Sequence, residues 1–242
     1  MSCKDLDRLY EEREGEFEKL LDRAGQLLDK QEALGIQTLS WQDKLYPHGL
    51  KAIGQDAPPL IHLLGDSDLL NEPQAVAIIG ARAADSAGLD AAYRLGQRYA
   101  EQDEVVVSGL ALGCDAAAHE GCLSVLGKTI AIVASGLDIT HPKEHVGLQS
   151  RILESGGLLL SEQLIRVKAN PTRLIARNRL QAALSQAVIL AQCPRESGSM
   201  KTMGFARKYK KKCFAVAFSQ SSVKNGGNRL LIEESKAAPI IL

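Results

Sequence analysis

A few residues in this chain have the types and spacing to do chemistry. Arg82 follows Gly80 and Ala81 directly after the apolar run AVAIIG. A guanidinium beside a glycine can approach a phosphate closely and hold it with two charge-assisted hydrogen bonds. Asp115 and His119 lie four apart, so on a helix they share a face and could act as a carboxylate and base pair. The same two residues also fit a helix cap and a locally bonded histidine. No nucleophile or third metal ligand stands at a recognisable spacing, which favours this second reading. Arg177 and Arg179 flank Asn178 near the start of a predicted helix, either facing one groove or forming ion pairs with acids such as Asp138 or Glu162.

Two phosphate fingerprints are absent. After Ile79 the chain reads GARAADSAG rather than GxGxxG, and Gly113 is followed by Cys114 and Asp115 rather than by the Lys-Ser/Thr of a P-loop. A nicotinamide-dependent enzyme and a P-loop nucleotidase are therefore not expected. Three other loops carry glycines: Gly80-Ala81-Arg82, Ser108-Gly109-Leu110-Ala111-Leu112-Gly113-Cys114-Asp115, and Ser135-Gly136-Leu137-Asp138. Any one of them is explained by the needs of a tight turn. Three on one rim point to a binding crevice.

The elements that would position these loops are legible from Ala75 onward. Short apolar runs (AVAIIG, VVVSG, TIAIVASG, LLLSE, AVILAQ, CFAVAF and PIIL) alternate with helical patterns at 89–101, 115–126, 143–154, 173–184, 197–209 and 227–234. Strands apolar on both faces and separated by helices specify a doubly wound α/β domain with a mainly parallel sheet. In such a sheet ligands bind beyond the carboxyl ends of the strands, where helix N-termini offer free amides to anions. Residues 4–34 place Leu6, Leu9, Tyr10, Phe17, Leu20, Leu21, Leu27 and Leu28 at the period of an amphipathic helix. The expected organisation is a helical appendage over residues 1–45 and an α/β domain over 46–242.

Composition narrows the function classes. The 29 Lys and Arg balance 29 Asp and Glu, so any nucleic-acid site must be a local cluster rather than a global field. The run KYKKK, Lys208 to Lys212, is read as a solvated helix end whose cations suit the helix dipole. Cys3, Cys114, Cys122, Cys193 and Cys213 are odd in number and show no CxxC, so they are expected to be reduced thiols without a metal or a disulfide framework. The charged N-terminus and the lack of any apolar run near ~18 residues imply a cytoplasmic protein with no membrane span.

The ordered segments VAIIGAR, VVVSGLALGCDAAAH, TIAIVASGLDITHPKEH, LLLSE, RNRLQAALSQAVILAQ, SGSMKTMGFA and GGNRLLIEES resemble the DprA/Smf DNA-processing family from Tyr46 to about Lys236. The resemblance implies an extended Rossmann-like fold that binds single-stranded DNA without cutting it. It also implies a homodimer, and help in loading RecA recombinase during natural transformation, with no cofactor. It assigns DNA contacts to Gly80, Arg82, Ser108, Gly109, Gly113, Asp115, Lys143, Arg177, Asn178 and Arg179. Arg82 matches the arginine of the family's GSR signature, and Lys143 the lysine of its YPKxN segment. Ala81 stands in place of the signature serine, Asp85 where a small hydroxyl residue is usual, and Leu174 where an aromatic is expected, which should weaken base capture. A nucleotide sensor, or a relative of nucleoside-monophosphate hydrolases, is the alternative function. The hydrolase motif PGGxGTxxE is not matched, because SGSMKTMGFA carries no glutamate.

Overall fold

The structure, a computed structural model, describes residues 3–71 and 74–242, with side chains from residue 15 onward. Cys3, Leu6, Leu9 and Tyr10 therefore lie outside the described side chains. The chain opens with helix α1 (Cys3–Ala33), then strand β1 (Gln37–Ser40), the short helix α2 (His48–Lys51) and strand β2 (Leu60–Gly65). It continues with β3 (Ala75–Ile79), α3 (Ser86–Ala100), β4 (Val105–Ser108), α4 (Cys114–Ser124), β5 (Thr129–Ile132) and α5 (Val146–Glu154). The last third holds β6 (Leu158–Ser161), α6 (Pro171–Ala183), β7 (Ala187–Leu190), α7 (Gly198–Lys208), β8 (Lys212–Val216), α8 (Gly226–Glu233) and β9 (Ala238–Ile240).

The nine strands form one sheet in the order β1-β2-β6-β5-β4-β3-β7-β8-β9. From β6 to β9 all pairings are parallel, as the double-sided apolar runs predict, while β1 and β2 add antiparallel strands at one edge. Gln37–Ser40 is thus part of the sheet and not of the helical appendage in which the sequence placed it. This strand has only four residues, a single one buried, so its pattern is too short to signal a period.

Alternation along the strands builds cores on both faces. Ala77, Ile79, Val107, Ile132, Leu160, Val188 and Leu190 meet Leu180 of α6, Met203 of α7 and Leu231 of α8 on one side. Val76, Ile78, Val106 and Ile189 meet Ala92 and Leu95 of α3 and Ala118 and Cys122 of α4 on the other. The chain winds outward from β3 through β4, β5 and β6, then returns to place β7 on the opposite side of β3. The strand order therefore reverses between β3 and β7, where the loops diverge and leave a crevice at the carboxyl ends. Among the described residues no helix is long and apolar enough to cross a membrane. Cys114, Cys122 and Cys193 are free and buried, and burial pushes their thiols up to about 12.

Candidate nucleic-acid interface

A cleft of about 460 Å³ opens at this switch point. Its walls are the β3 loop with Gly80 and Arg82, the apolar flank Pro171, Leu174 and Ile175 of α6, and the α7 start at Ser197 to Ser199. A smaller cavity of about 160 Å³ lies beyond, lined by Gly109, Leu112, His141 and Pro142. Arg82, Ala111 and Leu174 line both cavities. Arg82 and Leu174 therefore stand at the junction of one path across the strand ends.

The β3 loop is held from three sides. The Ala81 N–H donates to the Gln192 carbonyl at 2.7 Å. The Gln192 side chain donates to Asp85 Oδ1 at 2.8 Å and accepts from the Asp85 N–H at 3.1 Å. Ser199 Oγ donates to the Gly80 carbonyl at 2.7 Å. Asp85 also caps α3 by accepting from the Gly88 N–H at 3.0 Å, and this bond, with that from Gln192, holds its carboxyl below the usual range. Aspartate is among the residues that cap a helix best. With Asp85 so engaged, the exposed Arg82 has no hydrogen bond or ion pair among the described residues.

The glycines make room for this arrangement. A Cβ on Gly80 would come within 2.5 Å of the Cys114 Cβ, and one on Gly113 within 2.5 Å of the Arg82 carbonyl oxygen. Gly113 also adopts φ +79°, which side chains disfavour, as it caps α4. Leu110, fully buried at φ 56°, is a non-glycine residue in the same left-handed region. That conformation costs about 1–3 kcal/mol and persists only where surrounding packing over-determines it.

Beneath the cleft Arg177 and Asp115 are both buried, close enough for each charge to influence the other. Arg177, 3% exposed, donates from Nη2 to the Gly109 carbonyl at 3.1 Å, while its Nε and Nη1 have no partner among the described residues. Burial pulls its guanidinium below its ordinary value, Asp115 opposes that fall, and Arg82 adds to it. Burial pushes the Asp115 carboxyl up, opposed by Arg177 and then by the Ala111 amide. Two guanidinium groups thus feel each other at a site lined by Gln181, whose Nε2 also lacks a partner among the described residues. An anion entering beside Arg82 would relieve that repulsion.

The residues singled out by sequence separate into groups. Gly80, Arg82, Asp115, Arg177 and Asn178 line the larger cavity, and Gly109 the smaller. Gly113 shapes the path through backbone packing. Ser108 is fully buried, and its hydroxyl donates to the Ile78 carbonyl at 2.7 Å, so it braces the strands and lines neither of the two cavities. Lys143 is exposed one residue past Pro142, outside both cavities.

Arg179 departs from the expectation. Near the middle of α6 it points away from Arg177, donating to Glu162 Oε1 and Oε2 at 2.9 and 2.6 Å and to the Asp56 carbonyl at 2.7 Å. Two positions along a helix turn a side chain by about 200°, so Arg177 and Arg179 cannot share a groove. The ion-pair alternative with Glu162 is the one realised. The helix also begins earlier than expected, because Asn170 accepts from the Arg173 N–H and Pro171 occupies the first turn.

His119 is fully buried, with Nδ1 bonded to Thr129 Oγ1 at 2.7 Å, and burial lowers its pKa to about 3. His119 is therefore packed and locally bonded, whereas Asp115 does not cap α4: the cap position is Gly113, without a side-chain cap bond, and Asp115 lies inside the first turn. Gln192, Ser199 and Gln181 were not singled out by sequence. The SGS that starts α7 after the β7 run is a fourth strand-end loop and was the available signal, whereas nothing local marks the two glutamines.

The profile of the DNA recombination-mediator protein A family matches residues 37–241. Protein Smf of Synechocystis is 33% identical over 194 residues, which is 79% of this chain and 48% of that protein. The chain therefore spans about half the length of that relative. Among solved structures, DNA processing protein A from Streptococcus pneumoniae superposes with a TM-score of 0.78 at 36% identity, over 85% of this chain and 71% of the other. DNA processing protein A from Helicobacter pylori, described for its single-stranded DNA binding mode, superposes with a TM-score of 0.75 at 32% identity, over 85% and 90% of the two chains.

Proposed function

The chain belongs to the DNA recombination-mediator protein A family, the DprA/Smf DNA-processing proteins, and from that premise we propose that its switch-point cleft holds single-stranded DNA by its phosphates and does no chemistry on it. The observation that carries this reading is Arg82. It is an exposed guanidinium without a partner among the described residues, at the junction of two cavities, above a second, buried arginine. A phosphate seated there gains a charge-assisted contact and relieves repulsion between two like charges. Leu174, Ile175 and Pro171 offer an apolar wall to a base.

The absence of turnover rests on where the reactive groups lie. Asp115 lines the cleft with only 6% exposure, and His119, its candidate partner, is fully buried and bonded to Thr129, so the two do not act together on a ligand. Homodimer formation and hand-over to RecA in natural transformation, implied by the family, belong to the same proposal. Similarity to the Helicobacter pylori protein supports the choice of single strands.

The test is a titration with single-stranded DNA, duplex DNA and a mononucleotide at one salt concentration. Contacts to phosphates position a strand without reading sequence, so mixed sequences should bind alike. Duplex should bind more weakly, because its stacked bases cannot enter the cleft. Preference for duplex, or tight binding of the mononucleotide with weak binding of oligomers, would overturn the proposal, the latter in favour of a nucleotide sensor.

A further inference from the structure

The KYKKK run does not face the cleft. Lys210 and Lys211 of this run, with Arg207 and the segment after α8, form an open groove of about 360 Å³ on the opposite rim of the sheet. β8 spans five residues between the two rims, ~17 Å at ~3.3 Å per residue. Arg207, Lys210, Lys211 and Lys236 line the groove and no acid does. Lys236 is paired with Glu234 at 2.5 Å, and Lys211 donates to the Ala183 carbonyl at 2.9 Å. Arg207 and Lys210 are exposed and have no side-chain hydrogen bond or ion pair among the described residues.

Helix ends attract cations, and that would explain one or two of these residues. The α7 carbonyls, however, are already closed by backbone amides. Lys210 N–H donates to the Arg207 carbonyl at 3.0 Å and Lys211 N–H to the Ala206 carbonyl at 2.8 Å. At α8, Ser235 and Lys236 donate in the same way to Ile232 and Leu231, at 3.0 and 2.8 Å. The free cations are therefore not spent on capping. Lys210 also sits at φ 57°, a left-handed position that a glycine normally fills at a helix end. A lysine thus stands where the backbone favours a glycine, in a chain with no net charge.

We infer that this groove is a second polyanion site, which takes the phosphate backbone of a nucleic-acid segment separate from the one in the cleft. The choice of nucleic acid over other polyanions rests on the function proposed above. With one site on each rim, a single chain can hold two stretches of strand facing away from each other.

The test titrates a short fluorescent thymidine oligomer into four proteins of equal thermal stability: wild type, Arg82→Ala, the groove variant Arg207→Gln/Lys210→Gln/Lys236→Gln, and the two combined. The expected result is residual binding in Arg82→Ala that the groove substitutions remove. The log-affinity against log-salt slope should flatten by ~0.7 for each phosphate that is no longer neutralised. Lys210→Gly provides a second reading that no folding defect can mimic. It should raise the midpoint of thermal unfolding while weakening the residual binding. Absence of residual binding in Arg82→Ala, or residual binding untouched by the groove substitutions, would overturn the inference. So would groove-dependent sedimentation with phosphatidylserine vesicles in place of oligomer binding, which would make the groove a membrane contact. If Arg82→Ala instead binds as wild type and the groove variant does not bind, the groove stands and the cleft proposal falls.

Discussion

Gly109→Ala probes the coupling between the β4 loop and the buried arginine. The added Cβ would lie within 2.5 Å of Arg177 Nη2 and closer still to Nη1, so the guanidinium must move. Its bond to the Gly109 carbonyl, 3.1 Å long, is then broken or stretched. A hydrogen bond from a charged group is worth about 1.5–3 kcal/mol, and in a chain of this size each kcal/mol shifts Tm by roughly 2–4 °C. A fall in Tm of roughly 3–12 °C is expected, with weaker binding of single-stranded DNA. Arg177→Ala alone removes the Gly109 bond and the charge that opposes the raised Asp115 carboxyl, and should itself lower the urea midpoint. With the guanidinium gone, its space accommodates the new methyl group, so Gly109→Ala should add little in that background. Urea unfolding of the four proteins gives the cycle directly. A coupling energy of at least about 1.5 kcal/mol is expected for groups in such contact. Additive losses would refute the account of Gly109 as the residue that makes room for Arg177.

Two further outcomes follow from the same packing. His119 is neutral in the fold with a pKa of about 3, against 6.5 when unfolded, so stability is full above pH 6.5 and is lost as pH falls from there toward 3. At pH 5 the loss is roughly 2 kcal/mol, visible as a lower urea midpoint than at pH 7, and equal midpoints would contradict it. Leu174→Phe restores an aromatic face where both cavities meet, and base stacking worth ~1–3 kcal/mol should tighten single-strand binding roughly 5- to 150-fold in an anisotropy titration. No gain would show that bases do not reach this position.

The parallel strands were legible because they are apolar on both faces and punctuated by glycine, so β3 to β9 fall within a few residues of where the runs place them. β1 and β2 were not legible, because the antiparallel edge depends on pairing between distant segments rather than on local periodicity. At the site, Gly80, Arg82 and Gly113 were readable from strand-end chemistry. The division between Arg177 and Arg179 was not. Only the position of Glu162 on the far side of α6 decides which arginine faces the cleft and which forms an ion pair. Gln192 was hidden for a related reason, since its partner Asp85 lies 107 residues away in sequence.

The cleft proposal depends most directly on Arg82. Its replacement by alanine touches no internal hydrogen bond or ion pair among the described residues, so Tm should hold. The affinity for single-stranded DNA should fall roughly ten- to hundredfold at moderate salt, and the log-affinity against log-salt slope should flatten by ~0.7 for each phosphate that the guanidinium no longer neutralises. Measured on one preparation, a normal slope and normal affinity in a folded Arg82→Ala protein would contradict the assignment of this cleft to DNA.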